Sequence, residues 1–277
     1  MKIDAHQHFW RYTPEEYGWI DEAMQAIRTN FLPENLLPVL SANGIDGTVV
    51  VQARQVLEET RWLLQLAGQY EQIKGVVGWV PLSHPDVADL LGEFNQDPHF
   101  KGVRHVVQAE TDPSFLDGPR FNAGLRAATK LGLSYDLLIV AGQLPAAIKL
   151  VDRHPQQLFV LDHLAKPEIH GAPPAMWCQN LRQLALRPNV TCKLSGLVTE
   201  VPGWKWTPEL LRPYVEVVLE AFGPRRLMFG SDWPVCLVAS TYAQWMEFVR
   251  RGTESLSLDE RDRLFGGTAA ETYRLKA

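Results

Sequence analysis

M-K-I-D-A-H-Q-H, residues 1–8, sets Asp4, His6 and His8 in alternation with Ile3, Ala5 and Gln7. A strand sends alternate side chains to opposite faces, so this stretch puts His6 and His8 on one face. Two imidazoles on neighbouring same-face positions can share one metal ion or one substrate oxygen. They can equally be the polar end of a surface strand, because H-x-H alone is a weak pattern. The rest of the chain weighs against that, since it offers seven more strands with ionisable residues at the ends of several.

Strand-like runs follow at 47–52, 74–80, 101–107, 133–140, 158–163, 190–195 and 226–231. Helix-like runs separate them at about 33–43, 57–70, 85–95, 121–131, 143–154, 176–186, 207–221 and 242–250. Gly44 stops the first helix, and Leu144, Ile148 and Val151 draw a helical stripe. Thr207-Pro208 is an N-cap residue followed by proline at the first helical position. Ser257-x-x-Glu260 and Thr268-x-x-Glu271 read as capping boxes. The strands are apolar nearly throughout, as strands buried on both faces must be. Strand and helix alternating eight times predict an α/β chain folded as one (β/α)8 barrel over residues 1–277. The alternative is a doubly wound open sheet. No G-x-G-x-x-G follows a strand, so a Rossmann-type nucleotide site has no support.

Composition narrows the partners. The net charge is −5, with 27 basic and 32 acidic residues mixed along the chain, which disfavours nucleic acid. No apolar run reaches the length of a membrane span. The first strand begins at once with Lys2 and Asp4, where a secretory leader needs an apolar run. Cys178, Cys192 and Cys236 are odd in number and widely spaced, which fits reduced thiols in a cytoplasm better than a disulfide framework. Oligomeric state is not readable.

Residues 9–31 hold Trp10, Tyr12, Tyr17 and Trp19, broken by Pro14 and Gly18. A loop this long is functional or disordered, and its aromatics argue against disorder. It reads as a flap over His6 and His8, or as an aromatic plug that only closes the barrel.

In a barrel, chemistry gathers at the C-terminal ends of the strands. There the chain offers His6 and His8, Gln52 and Arg54, Arg104 and His105, Tyr135 and Asp136, Asp162 and His163, Lys193 and Ser195, and Ser231-Asp232-Trp233. Ionisable groups ending so many apolar strands are costly unless they share a wet site. His84, His99, His154 and His170 sit in loops or helix ends and read as surface residues.

Five blocks carry a resemblance: D-A-H-Q-H-F-W (4–10), K-G-V-R-H (101–105), L-D-H-L-A-K-P (161–167), K-L-S-G-L (193–197) and F-G-S-D-W-P (229–234). Together, in this order and across nearly the whole chain, they resemble the amidohydrolase superfamily. The likeness is to its branch of sugar and aromatic lactonases, to which L-fuconolactonase and L-rhamnonolactonase belong. The resemblance implies Asp232 as the general base that takes a proton from water. It implies His6, His8 and His163 as residues that bind a metal or the substrate carbonyl, and Arg104 and His105 as holders of substrate polar groups. Two departures stand out. Metal-dependent relatives usually add a strand-five His or a carboxylated strand-four Lys; here strand five has Tyr135-Asp136, and Lys101 lies at the wrong end of its strand. Thr268 also replaces the usual Asn at the start of the final helix.

The expected activity is hydrolysis of a small sugar lactone of the L-fucono- or L-rhamnono- type. Polarisation of the carbonyl comes from one divalent ion, Zn or Mn, on His6, His8 and Asp232 with or without His163, or from the same histidines donating hydrogen bonds without a metal. Gln52, Arg54, Arg104, His105, Tyr135 and Lys193 are expected to meet the substrate. Trp10, Trp19 and Trp233 offer faces for a sugar ring. Trp233 can instead cap the barrel, and Lys193 can instead pair with a carboxylate. The first alternative function is a metal-dependent decarboxylase or a hydrolase of an aromatic or unsaturated carboxylate or its lactone; the decarboxylases carry a strand-five His, which this chain lacks. The second is a binding protein on a dead barrel, which predicts the loss of one of His6, His8, His163 or Asp232; all four are present.

Overall fold

The structure, a computed structural model, describes residues 1–276. Eight strands form one sheet in sequence order, every neighbouring pair parallel. They are β1 Ile3–Gln7, β2 Gly47–Val51, β3 Ile73–Gly78, β4 Phe100–His105, β5 Ser134–Leu137, β6 Phe159–Leu161, β7 Val190–Leu194 and β8 Leu227–Phe229. The sheet curls until β8 meets β1: Asp232 N–H donates to His6 O at 2.8 Å and His8 N–H to Trp233 O at 2.7 Å. This is the (β/α)8 barrel that the alternation predicts. The accessible surface of 11918 Å² matches the roughly 12,000 Å² of a compact chain of this mass, leaving no surface for a second lobe.

The crossover helices are α1 Pro33–Ala42, α2 Leu57–Gln69, α3 Val87–Phe94, α4 Pro119–Lys130, α5 Leu144–Arg153, α6 Ala175–Ala185, α7 Pro208–Phe222 and α8 Tyr242–Gly252. Two short helices follow, α9 Leu258–Asp262 and α10 Thr268–Thr272. Thr207 caps α7 by accepting from Leu210 N–H, and the Ser257–Glu260 box forms at α9. The Thr268 box does not form. The chain runs through a wide helical turn at 263–267 straight into α10, so no free helix end remains there to cap. Thr268 Oγ1 instead donates to Arg225 O at 3.1 Å.

The core has two layers. The larger lies between strands and helices, with residues such as Val103, Phe121, Tyr135, Leu161 and Phe229. A smaller cluster comprises Ala5, Val49, Val51, Val77, Val160 and Met228, packed with Tyr273 just beyond α10. His154 is buried rather than exposed: it ends α5 against Asn122 Oδ1 at 2.8 Å, a satisfied core histidine. No helix among the described residues is long and apolar enough to cross a membrane.

Candidate active site

Barrel closure builds the site. The bond that seals β8 to β1 brings Asp232 over His6, and Asp232 takes a left-handed backbone, φ +57°, unusual for a residue with a Cβ. Asp232 Oδ1 then lies 3.4 Å from His8 Nε2, 3.7 Å from His6 Nε2 and 3.8 Å from His163 Nε2. His6 Nε2 and His8 Nε2 are 3.2 Å apart, so both imidazoles do face one point. A second unusual backbone delivers His163. Residues 163–166 all have positive φ (51°, 56°, 58° and 45°), one left-handed turn built from L-residues without glycine. Such residues cost about 1–2 kcal/mol each, and backbone strain of this kind gathers at functional sites. Trp177 Nε1 donating to Leu164 O at 2.8 Å helps to hold the turn.

Each imidazole is oriented from behind. His8 Nδ1 donates to Val51 O at 2.7 Å. His163 Nδ1 meets Ser195 Oγ at 2.8 Å. His6 Nδ1 lies 3.1 Å from Lys193 Nζ and 3.4 Å from Asp162 Oδ1. Burial holds His6 well below the usual imidazole value, helped by Lys193 and against Asp162. Burial likewise lowers His163 to about 4, against the pull of Asp232. For Asp232, burial pushes upward, but His163, the hydrogen bond with His8 and the charges of His6 and His8 outweigh it and hold the carboxyl far below its usual range. At neutral pH the cluster therefore sets the Asp232 carboxylate beside the neutral imidazoles of His6 and His163.

The cluster fits a metal ion. Bonds of about 2.0–2.2 Å from one tetrahedral ion leave its ligand atoms about 3.3–3.6 Å apart. The three edges among His6 Nε2, His8 Nε2 and Asp232 Oδ1 are 3.2, 3.4 and 3.7 Å. Imidazoles held by a hydrogen bond at the opposite nitrogen, as His8 is on Val51 O, are also what zinc-type sites use.

Below the cluster lies a buried charge network. Lys193 Nζ is 2.5 Å from Asp136 Oδ2 and 3.0 Å from Asp162 Oδ1, and Arg104 Nη1 donates to Asp162 Oδ2 at 3.0 Å. Tyr273 OH donates to Asp136 at 2.8 Å. Burial opposes the charge on Asp162, but Lys193, His6 and Arg104 keep it ionised.

Above the cluster opens a cavity of about 750 Å³, walled partly by the aromatic loop. His8, Arg54, Arg104, His163 and Asp232 line it, and so does half-exposed Trp19. The loop is ordered around Trp10, whose Nε1 donates to Thr29 O at 2.9 Å, with Tyr17, Ile20 and Ile27 packed beside it. Five expected substrate contacts are not among the lining residues. Tyr135 alternates with inward-facing Asp136, so its ring turns to Phe121 and Phe159 in the helix layer. Lys193 is fully buried on its two carboxylates. Gln52 is buried, its carbonyl accepting from Arg104 Nη2, so it steadies Arg104. His105 bonds Glu110 at 2.6 Å and stacks on Phe115. Trp233 caps the barrel edge-on against Phe9 and Phe31. Trp10 is likewise too buried to offer a face to a ligand.

The sequence places Lys166 just past the end of the sixth strand but gives it no role, and Glu200 escapes it; the two line the cavity as an ion pair at 3.5 Å. Lys166 ends the L-D-H-L-A-K-P block, which was a usable signal. Glu200, in the turn after β7, carried none. Glu59 was missed too: its Oε2 accepts from the N–H groups of Ala53 and Arg54, steadying the wall that carries Arg54.

A parallel (β/α)8 barrel with imidazoles and a carboxylate converging at the C-terminal mouth is an enzyme scaffold with its site in the usual place. The chain belongs to the amidohydrolase family, whose model matches residues 3–275. It is 40% identical, over 99% of its length and 96% of the relative's, to an L-fucono-1,5-lactonase of Burkholderia multivorans. An L-fucono-1,5-lactonase of Burkholderia ambifaria is 38% identical over the same shares. A crystal structure of an amidohydrolase from Burkholderia multivorans with bound Zn superposes with a TM-score of 0.97 at 40% identity, covering all of both chains.

Proposed function

We propose that this protein is a lactonase that opens a small polyhydroxylated lactone of the L-fucono-1,5-lactone type to its sugar acid. The observation that carries the proposal is Asp232 Oδ1 standing within 3.4–3.8 Å of three imidazole nitrogens on the floor of the cavity. The relatives named as L-fucono-1,5-lactonases support the substrate class.

A lactone is a cyclic ester, and its hydrolysis needs an activated water, a polarised carbonyl and a proton for the departing alkoxide. Asp232, ionised at neutral pH, takes the proton from water as it attacks the carbonyl carbon. His163, neutral above about pH 4, donates from Nε2 to the developing oxyanion when the Ser195 hydroxyl donates to its Nδ1. Arg104 adds positive charge beside the same point, 3.4 Å from His6 Nε2. Protonated Asp232 then hands its proton to the ring oxygen as the C–O bond breaks. His6, His8 and Asp232 would hold a divalent ion of the Zn or Mn type, which when bound supplies Lewis acidity to the carbonyl and acidity to water.

The test is acid release, read with a pH indicator, from a panel of sugar lactones and aromatic lactones before and after prolonged chelation. Hydrolysis of an aldonolactone, lost on chelation and restored by Zn²⁺ or Mn²⁺, is the expected result. Activity that survives complete removal of metal makes the histidines hydrogen-bond donors only. No acid release from any lactone overturns the proposal.

A further inference from the structure

Lys166 and Glu200 have no part in the chemistry above, yet they face the same cavity as Asp232 and His163. Both are anchored to the loops that hold His163. Lys166 closes the left-handed turn that begins at His163, its N–H donating to His163 O at 2.7 Å. Glu200 ends the turn that begins just past Ser195 and Gly196, where Thr199 Oγ1 donates to Gly196 O at 2.8 Å. Ser195 in turn touches His163 Nδ1. The two side chains are each about one-fifth exposed, so they are held at fixed positions relative to the reacting centre but remain open to a ligand.

Their separation is informative. Lys166 Nζ to Glu200 Oε1 is 3.5 Å, longer than the 2.7–2.9 Å of a closed charge-assisted hydrogen bond. Glu200 is the only ionic partner of Lys166 among the described residues. An ammonium has three donors and a carboxylate about four acceptor sites, so most of both sets stay free. The Arg54–Glu16 pair in the same cavity is closed at 3.0 Å and ties the aromatic loop to the barrel. The rest of the wall mixes apolar Val56, Val106, Leu138 and Val235 with polar Glu15, Gln55, Gln108 and Thr199.

We infer that the Lys166–Glu200 pair is a hydroxyl-recognition element of the site, gripping two neighbouring ring hydroxyls of the substrate. One hydroxyl accepts from Lys166 while its neighbour donates to Glu200. A vicinal diol supplies one acceptor and one donor on neighbouring carbons, within reach of both members of a pair 3.5 Å apart. A ring without hydroxyls makes neither bond, so the pair selects polyhydroxylated lactones against plain ones. The inference rests on the lactonase reading.

Lys166→Met and Glu200→Gln are compared with the unaltered enzyme on an aldono-1,5-lactone that it hydrolyses and on δ-valerolactone, the same ring without hydroxyls. Loss of a hydrogen bond to a charged group predicts a fall in kcat/KM of about 10- to 100-fold on the aldonolactone, carried mainly by KM. Turnover of δ-valerolactone should stay within about threefold, because its ring makes no such bond to lose. Competitive inhibition by a 1,5-anhydroalditol, which keeps ring hydroxyls and has no ester, should weaken in parallel and reads the contact without hydrolysis. Equal losses on both lactones, or unchanged inhibition by the anhydroalditol, overturn the assignment while leaving the lactonase reading intact. An unaltered enzyme that hydrolyses no lactone overturns both.

Discussion

His8 Nδ1 lies 2.7 Å from the carbonyl oxygen of Val51 on the neighbouring strand, and that bond decides what His8 shows to the cavity. A carbonyl oxygen only accepts, so Nδ1 carries the hydrogen and the Nε2 lone pair turns inward. There it meets His6 Nε2 at 3.2 Å and the Asp232 carboxylate at 3.4 Å. Lone pair and carboxylate aimed at one point call for a cation or a shared proton between them. The purified protein is therefore expected to carry about one divalent ion per chain by elemental analysis, and His8→Ala only a small fraction of that. Removing the ion should also lower Tm, since an ion bound only by the folded chain stabilises it. Full metal occupancy in His8→Ala would show that the ligands lie elsewhere.

Asp232→Asn keeps the size of the side chain and its left-handed backbone, which Asn tolerates well. It removes the base and leaves three imidazoles without their carboxylate. The expected result is a fall in kcat of about 10²- to 10⁴-fold, with Tm falling no further than removal of the ion lowers it. Steady-state rates and a thermal melt on the same preparation check it; a kcat within tenfold of normal removes Asp232 from the role.

Lys193 stands at the centre of the buried network, fully enclosed and shared by Asp136 and Asp162. Replacing one member of a buried ion pair strands the other, typically at about 3–5 kcal/mol. Lys193→Met should lose that much stability in urea unfolding, and adding Asp136→Asn should recover part of it. A stability loss under about 1 kcal/mol would mean that water reaches the network and screens it.

The barrel and the floor of its site were legible because both rest on local pattern. Alternation put His6 and His8 on one face, and apolar strands between helical stripes gave the eight units. What escaped depends on contacts between distant segments or on the face a short strand presents. On β5 the signal could not say whether Tyr135 or Asp136 points inward, since both neighbours in a buried strand are enclosed. Lys193 could be a substrate donor or half of an ion pair, and only Asp136 and Asp162, 57 and 31 positions away in sequence, decide for the pair. Nothing in L-A-K announces three more left-handed residues after His163, so the turn that brings Lys166 into the cavity was invisible. The strand ends were also overrun: β6 stops at Leu161 because Asp162 and His163 leave the ladder to enter the site.

Gly196 shows how tightly that turn is packed. Its φ is +70°, and a Cβ there would lie 2.4 Å from His163 Nδ1, well inside contact distance. Gly196→Ala must push the imidazole off Ser195 or strain the backbone. Displacing a catalytic group by about 1 Å can cost about 10²-fold in rate, and a fall of that order in kcat is expected here. The comparison variant is Gly92→Ala, a helical glycine with nothing near its added Cβ, which should leave kcat unchanged. Normal kcat in Gly196→Ala would mean that His163 does not need its position.

Glu59 makes the stability of the cavity wall depend on pH. Burial raises its carboxyl to about 7, against the pull of the Arg54 and Ala53 N–H groups, while the unfolded chain keeps the ordinary value near 4.5. A carboxyl raised on folding binds its proton more tightly in the folded state, so between pH 4.5 and 7 the folded chain holds more protons than the unfolded one. Stability from this residue is therefore greatest below about pH 4.5, falls as pH rises through the window and levels off above 7. The full change is on the order of 3 kcal/mol. Glu59→Gln keeps an oxygen for the two N–H groups and has no proton to release. Asp4, raised to about 6 by burial, slopes the same way but is common to both proteins and cancels in their difference. Urea unfolding at pH 5 and pH 8 should show the unaltered protein losing more stability across that step than Glu59→Gln. Equal losses in the two proteins would mean that Glu59 ionises in the folded chain as readily as in water.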